Sequence, residues 1–175
     1  DHRWRIEHAQ VLFPNFYSRA AELKVLASMQ SSHAVGDSKW AEDRIGSERI
    51  QDAYAWQNIL KSGVRLLLNS DLPGEPWKPM ETLYFAVNRK PLDSTKESKG
   101  WYMNQALTVE EALKAMTIEN AHGAFQEKKL GSIEINKLAD FIIIDQNPLT
   151  VLPEDIKNIK VLETWVSGIK VNSIN

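Results

Sequence analysis

Two strand-like runs, Arg5-Ile6-Glu7-His8 and Val64-Arg65-Leu66-Leu67-Leu68-Asn69-Ser70-Asp71, constrain this chain more than anything else in it. The second holds the uninterrupted Leu66-Leu67-Leu68, and a strand without polar alternation suits a sheet covered on both faces, as parallel sheets are. Between the two runs, Pro14 and Asn15 open a helix through Ala20-Ala21-Glu22-Leu23, and Val25-Leu26-Ala27-Ser28-Met29 reads as a further strand. Strand, helix, strand, helix, strand is the α/β signature. If these strands are parallel members of one barrel, His8 and Asp71 both land on the rim where such barrels place their chemistry.

The rest of the chain is read from its punctuation. Gln30 to Gly46 is polar and is expected to be a loop. Ser47 suits an N-cap for a helix from Glu48 to Lys61, with Ala53, Trp56, Ile59 and Leu60 on its apolar stripe and the left-handed residue Gly63 beyond its end. Leu72 to Pro79 is too rich in proline for regular structure and should be a rim loop feeding a helix around Met80–Asn88. Pro91 to Gly100 reads as a surface loop. Thr108-Val-Glu-Glu111 is a capping box for a helix over Val109–Met116, and a short helix is expected over Glu119–Phe125. Near Lys128 the character changes. A strand over Ala139–Asp145 and a ribbon of Val161–Val166 and Ile169–Val171, joined by Ser167-Gly168, give a hairpin signal. The expected division is α/β layers over residues 1–127 and a small β appendage over 128–175.

Composition narrows the function. Of the 175 residues 43% are hydrophobic, with six Trp, five Phe and four Tyr, enough for a packed core. A net charge of −2 gives no footprint for nucleic acid or an anionic membrane. The longest apolar run, Phe141-Ile142-Ile143-Ile144, is strand-sized and far from the roughly 20 residues of a membrane span. There is no cysteine, so disulfides and thiolate metal sites are excluded and any metal must be held by His and carboxylates. The chain opens on charged residues, without an initiator Met or a signal-like start, and reads as a piece of something longer in the cytoplasm.

Imidazole plus carboxylate on one rim is what a zinc-type hydrolytic site needs, which singles out His8 and Asp71. Each also has a plain alternative. A histidine at a strand end is often a satisfied structural residue, and Asn69-Ser-Asp-Leu-Pro73 is ordinary turn chemistry. The apolar strand before Asp71 points its carboxylate toward a site that excludes water. His33, four residues past the second strand, can reach the same rim or be an exposed loop histidine. His2 and His122 are read as structural. Trp40-Ala-Glu42-Asp43-Arg44 reads as a solvated loop with local ion pairs, and Trp77 and Trp101 either line a pocket mouth or pack loops down.

Seven segments then occur in an ordered series: Arg5-Ile-Glu-His-Ala-Gln10, Ala27-Ser-Met-Gln-Ser-Ser-His33, Trp40-Ala-Glu-Asp-Arg44, Ala53-Tyr-Ala-Trp56, Asn69-Ser-Asp-Leu-Pro73, Thr108-Val-Glu-Glu-Ala-Leu113 and Gly131 through Asp145. Together they resemble the C-terminal part of the amidohydrolase superfamily, in the branch called amidohydrolase family 3. The resemblance implies strands six to eight of a (β/α)8 barrel plus part of a small β-sandwich, with one or two divalent metals, most simply zinc, at the rim. By it, His8 matches the metal-ligand histidine after the sixth strand. Asp71 matches the aspartate after the eighth, which binds metal and shuttles the proton. His33 matches a histidine after the seventh strand, in contact with substrate. Gly131–Asp145 matches the return of the chain into the sandwich.

The family's paired His-x-His and its ligands after the fourth and fifth strands have no counterpart here, which implies a missing N-terminal part of the same protein as partner. The expected function is therefore that of a C-terminal fragment of a metal-dependent hydrolase, cutting non-peptide C–N bonds of a small amide-type substrate through metal-activated water. The rival is a non-catalytic segment that only completes a fold or interface. Open sheet edges would also drive homo-oligomer formation when the segment stands alone.

Overall fold

The computed structural model describes residues 1–173, in two three-stranded sheets with helices packed around the first. The first sheet is parallel, in the order β1 (Arg5–Glu7), β2 (Leu26–Gln30), β3 (Leu66–Asn69). Its crossovers are α1 (Phe16–Glu22) before β2, and α2 (Ser31–Asp37), α3 (Ala41–Arg49) and α4 (Trp56–Lys61) before β3. Register pairs Glu7 with Ser28, Ser28 with Leu67, and Gln30 with Asn69. Paired residues share a face and neighbours along a strand alternate. Ala27, Met29, Leu66 and Leu68 therefore face one side, where they join a core with Trp56, Ile59, Leu83 and Tyr84. Glu7, Ser28, Gln30, Leu67 and Asn69 face the other.

Local chemistry explains most element ends. Gly63 takes φ +82° just past α4, where a side chain would be strained. Pro79 begins α5 (Pro79–Asn88), where its missing N–H is unneeded. The box at Thr108 forms in full: the Glu111 N–H donates to Thr108 Oγ1 at 3.1 Å and the Thr108 N–H to Glu111 Oε2 at 2.9 Å, starting α6 (Val109–Met116). A short α7 (Ile118–Gly123) follows.

Two expectations are corrected. The polar stretch from Gln30 to Gly46 is not a loop but holds α2 and most of α3. Serines and Gly36 hide the helix in the sequence, and tertiary contacts hold it, among them a 2.7 Å bond from Ser31 Oγ to the Thr82 carbonyl. Nor is Glu48–Lys61 one helix. Gly46, at φ +83°, kinks α3, a 3-10 turn covers Ile50–Asp52, and Ala53 pairs with Val11 in an isolated antiparallel bridge. The bridge is closed by the Leu12 N–H to the Asp52 carbonyl at 3.0 Å and the Tyr54 N–H to the Gln10 carbonyl at 2.8 Å. Long-range pairing thus overrides the local helical period, although Ala53, Trp56 and Ile59 are still buried.

The second sheet is antiparallel, β4 (Phe141–Ile144), β5 (Val161–Val166) and β6 (Ile169–Ser173). Ser167 and Gly168 take φ +51° and +76°, as a tight two-residue hairpin link of this hand requires. Phe141 stacks on Trp165 with ring centroids 5.5 Å apart. The link from β4 to β5 carries a 3-10 turn, Pro153–Asn158, whose fully buried Ile156 joins the main core. It docks on the end of α5 through Asn88 Nδ2 to the Pro153 carbonyl at 2.9 Å and a Lys90–Glu154 ion pair at 2.7 Å. Among the described residues no helix is long and apolar enough to cross a membrane.

Candidate functional site

Because β1, β2 and β3 are parallel, the residues that follow them emerge at one edge of the sheet. His8 follows β1, His33 lies in the first turn of α2 just past β2, and Asp71 lies two residues past β3. One ligand-type atom from each of the three lies within 4.8 Å of those of the other two. The His8 and His33 rings stack at 5.5 Å with an interplanar angle of 18°. His33 Nε2 is 3.6 Å from Asp71 Oδ2 and equally 3.6 Å from Glu75 Oε1.

Backbone geometry aims two of these groups. His8 and Asp71 both take positive φ, +68° and +57°, a region that non-glycine residues rarely enter and that clusters at functional sites. The Asp71 N–H donates to Asn69 Oδ1 at 3.0 Å, which holds the turn. Contrary to expectation, the Asp71 side chain is not withdrawn from water: it is 44% exposed. His33, by contrast, is no exposed loop residue; its side chain is only 14% exposed.

Several neighbours were not singled out from the sequence. Gln30 Oε1 meets His8 Nδ1 at 3.0 Å, while Gln30 Nε2 donates to Asn69 Oδ1 at 2.9 Å. Asn69 Nδ2 in turn donates to Ser28 Oγ at 3.1 Å. Their signal was present: Ser28 and Gln30, and then Asn69 and Asp71, are polar residues at a spacing of two, the period of one sheet face. On the far side of His33, Gln10 Nε2 approaches His33 Nδ1 at 3.4 Å, and Tyr54 donates its hydroxyl proton to Asp37. Burial, together with that bond to the Asp37 carboxylate, pushes the Tyr54 phenol above the ordinary tyrosine range, so it stays a donor. Glu7 stays below the usual carboxylate range: burial works against this, but bonds from Ser28 and Arg5 outweigh it.

His122 lies away from this cluster. The backbone carbonyl of His122 accepts from Arg3 Nη1 at 2.6 Å, beside the paired Arg3 and Glu127. Trp101 packs inward, edge-on to Tyr54 at 5.5 Å, whereas Trp77 is 66% exposed beside α5.

The sequence model of the amidohydrolase family matches residues 1–171. The chain is 36% identical over 169 residues to Protein LONG AFTER FAR-RED 3 of Arabidopsis thaliana, covering 96% of this chain and 28% of that protein. It is 28% identical to an N-substituted formamide deformylase of Arthrobacter pascens, over 94% of this chain and 30% of that one. Among solved structures, a metal-dependent hydrolase from Pyrococcus horikoshii superposes with a TM-score of 0.74 at 32% identity, over 85% of this chain and 30% of that one. The chain thus spans less than a third of the length of each of these relatives. With the mixed α/β fold and the match running through nearly its whole length, the chain belongs to the amidohydrolase family.

Proposed function

We propose that this chain is the C-terminal part of a metal-dependent hydrolase that cuts C–N bonds of amide type other than peptide bonds. In this reading β1, β2 and β3 are strands six to eight of a (β/α)8 barrel, residues 1–127 are the barrel segment, and 128–175 belong to a β-sandwich. The observation that carries the reading is the convergence of His8, His33 and Asp71 at one edge of the parallel sheet. The imidazole of His8 and the carboxylate of Asp71, with no thiol anywhere in the chain, are donors that suit zinc. The N-substituted formamide deformylase among the relatives supports a small amide-type substrate.

His8 and Asp71 would hold the ion. When bound, a divalent metal lowers the pKa of water and polarises a carbonyl. Asp71, whose side chain is 44% exposed, would take the proton of the attacking water and pass it to the leaving nitrogen. His33 accepts from Gln10 at Nδ1, which leaves Nε2–H as a donor facing Asp71 and the substrate oxygen. Catalytic zinc normally has three protein ligands and an open position. Two ligands from this chain are too few, so the remaining ones come from the missing N-terminal part of the same protein.

The test uses the protein at its natural length, with zinc content and amide hydrolysis measured side by side. His8→Ala should lose bound metal, and Asp71→Asn should lower kcat by about 10²–10⁴. Residues 1–175 alone should bind zinc poorly and turn over nothing. Asp71→Asn with unchanged kcat would overturn the assignment. A full-length protein that holds no metal and hydrolyses no amide would favour a segment that only completes a fold.

A further inference from the structure

We infer that Gln30 is the positioning residue of this site: it holds the His8 ring as the Nδ1–H tautomer and so leaves Nε2 bare for an ion. The inference rests on the metal reading above but comes from a different observation, the direction of a hydrogen-bond chain across the polar face of the parallel sheet.

The chain is anchored at the Asp71 backbone N–H, which can only donate and lies 3.0 Å from Asn69 Oδ1. Asn69 therefore presents its amide nitrogen on the other side, where Nδ2 donates to Ser28 Oγ at 3.1 Å. The same Asn69 Oδ1, which can only accept, takes a second bond from Gln30 Nε2 at 2.9 Å. Gln30 is thereby left with its oxygen toward His8, 3.0 Å from Nδ1. A carbonyl oxygen cannot donate, so Nδ1 must carry the proton. Every amide orientation along the chain is set by the bond before it. Gln30 is 3% exposed and Ser28 4%, so these two side chains are withdrawn from bulk water. The same Asn69 oxygen that orients Gln30 also braces the backbone of Asp71, so both metal-side groups are set by one network.

Metal-ligating histidines depend on the partner of their other ring nitrogen, and loss of such a partner lowers metal affinity about 10–100-fold. The discriminating variants are Gln30→Leu, which removes the acceptor, and Gln30→Glu, which keeps it as a carboxylate. They are made in the protein at its natural length. Zinc affinity is read by competition with a chromophoric chelator, and thermal stability is read on the metal-free form. Gln30→Leu should bind zinc about 10–100-fold more weakly while its metal-free form stays folded, and Gln30→Glu should bind within about threefold of the parent. A purely structural role predicts the reverse order, because a buried carboxylate is worse for folding than leucine. Gln30→Leu within twofold of the parent in zinc affinity would overturn the Gln30 role alone. So would Gln30→Glu binding no better than Gln30→Leu. A parent protein that takes up no zinc would overturn the metal reading itself, and this inference with it.

Discussion

Replacing Gly131 by alanine tests how tightly the turn after α7 is seated on that helix. Gly131 takes φ +89°, and a Cβ built there would lie 2.8 Å from Ala121 Cβ, 2.8 Å from Ile118 Cα and 3.1 Å from Ile118 Cδ1. One of those atoms is the backbone of α7, which cannot swing aside as a flexible side chain would. Gly63 supplies the control, since it has nearly the same φ, +82°, with nothing within 4 Å of a built Cβ. Gly63→Ala therefore isolates the backbone strain, about 1–2 kcal/mol. Gly131→Ala carries the same strain plus a collision worth about 1–3 kcal/mol, for a total of about 2–5 kcal/mol. Urea unfolding followed by tryptophan fluorescence compares the two variants, with an unchanged denaturant slope showing that only stability moved. Equal stabilities, within about 0.5 kcal/mol, would refute the reasoning, for the turn at Gly131 would then not press on α7.

Three further outcomes rest on pairs and caps elsewhere in the fold. The Arg3 guanidinium, bonded to Glu127 at 2.7 and 2.8 Å, holds that carboxyl at about 2, below its ordinary 4.5. A depressed carboxylate stabilises the fold above its unfolded value and loses that effect as pH falls, so Glu127→Gln should be the less stable protein near neutrality and converge on the parent between pH 4.5 and 2; melting curves across that window check it, and a pH-independent gap would count against it. Arg89 is 1% exposed, lies 4.2 Å over the Trp56 ring and donates to the carbonyls of Trp101 at 2.7 Å and Tyr54 at 3.1 Å, while burial pushes its pKa down to about 9. Arg89→Ala should destabilise by about 2–5 kcal/mol in urea titration, the range for deleting a large buried side chain, and a loss under 1 kcal/mol would show the site collapses around the gap. Thr108→Ala should remove the cap of α6 and about 0.5–2 kcal/mol, visible as a lower urea midpoint.

The sequence by itself determined the elements whose cause is local. The leucine run of β3, the capping box at Thr108, the glycine after α4 and the Ser167-Gly168 link each act within a few residues, so the chain carries their signal in place. It also carried His8 and Asp71, because each closes a strand-like run. Tertiary structure decided the rest. The period of Glu48–Lys61 is helical, yet the bridge between Val11 and Ala53 breaks it, and α2 forms in a stretch of turn residues because α5 holds it. His33 became a partner of Asp71 only because α2 starts directly after β2 and so sets His33 at the edge where Asp71 follows β3. Gln30, Ser28 and Asn69 look like scattered polar residues until the parallel register sets them side by side on one face. Local signals are short-range free energies written along the chain, whereas a site depends on which strand lies beside which, and that is settled only when the sheet closes its hydrogen bonds across distant segments.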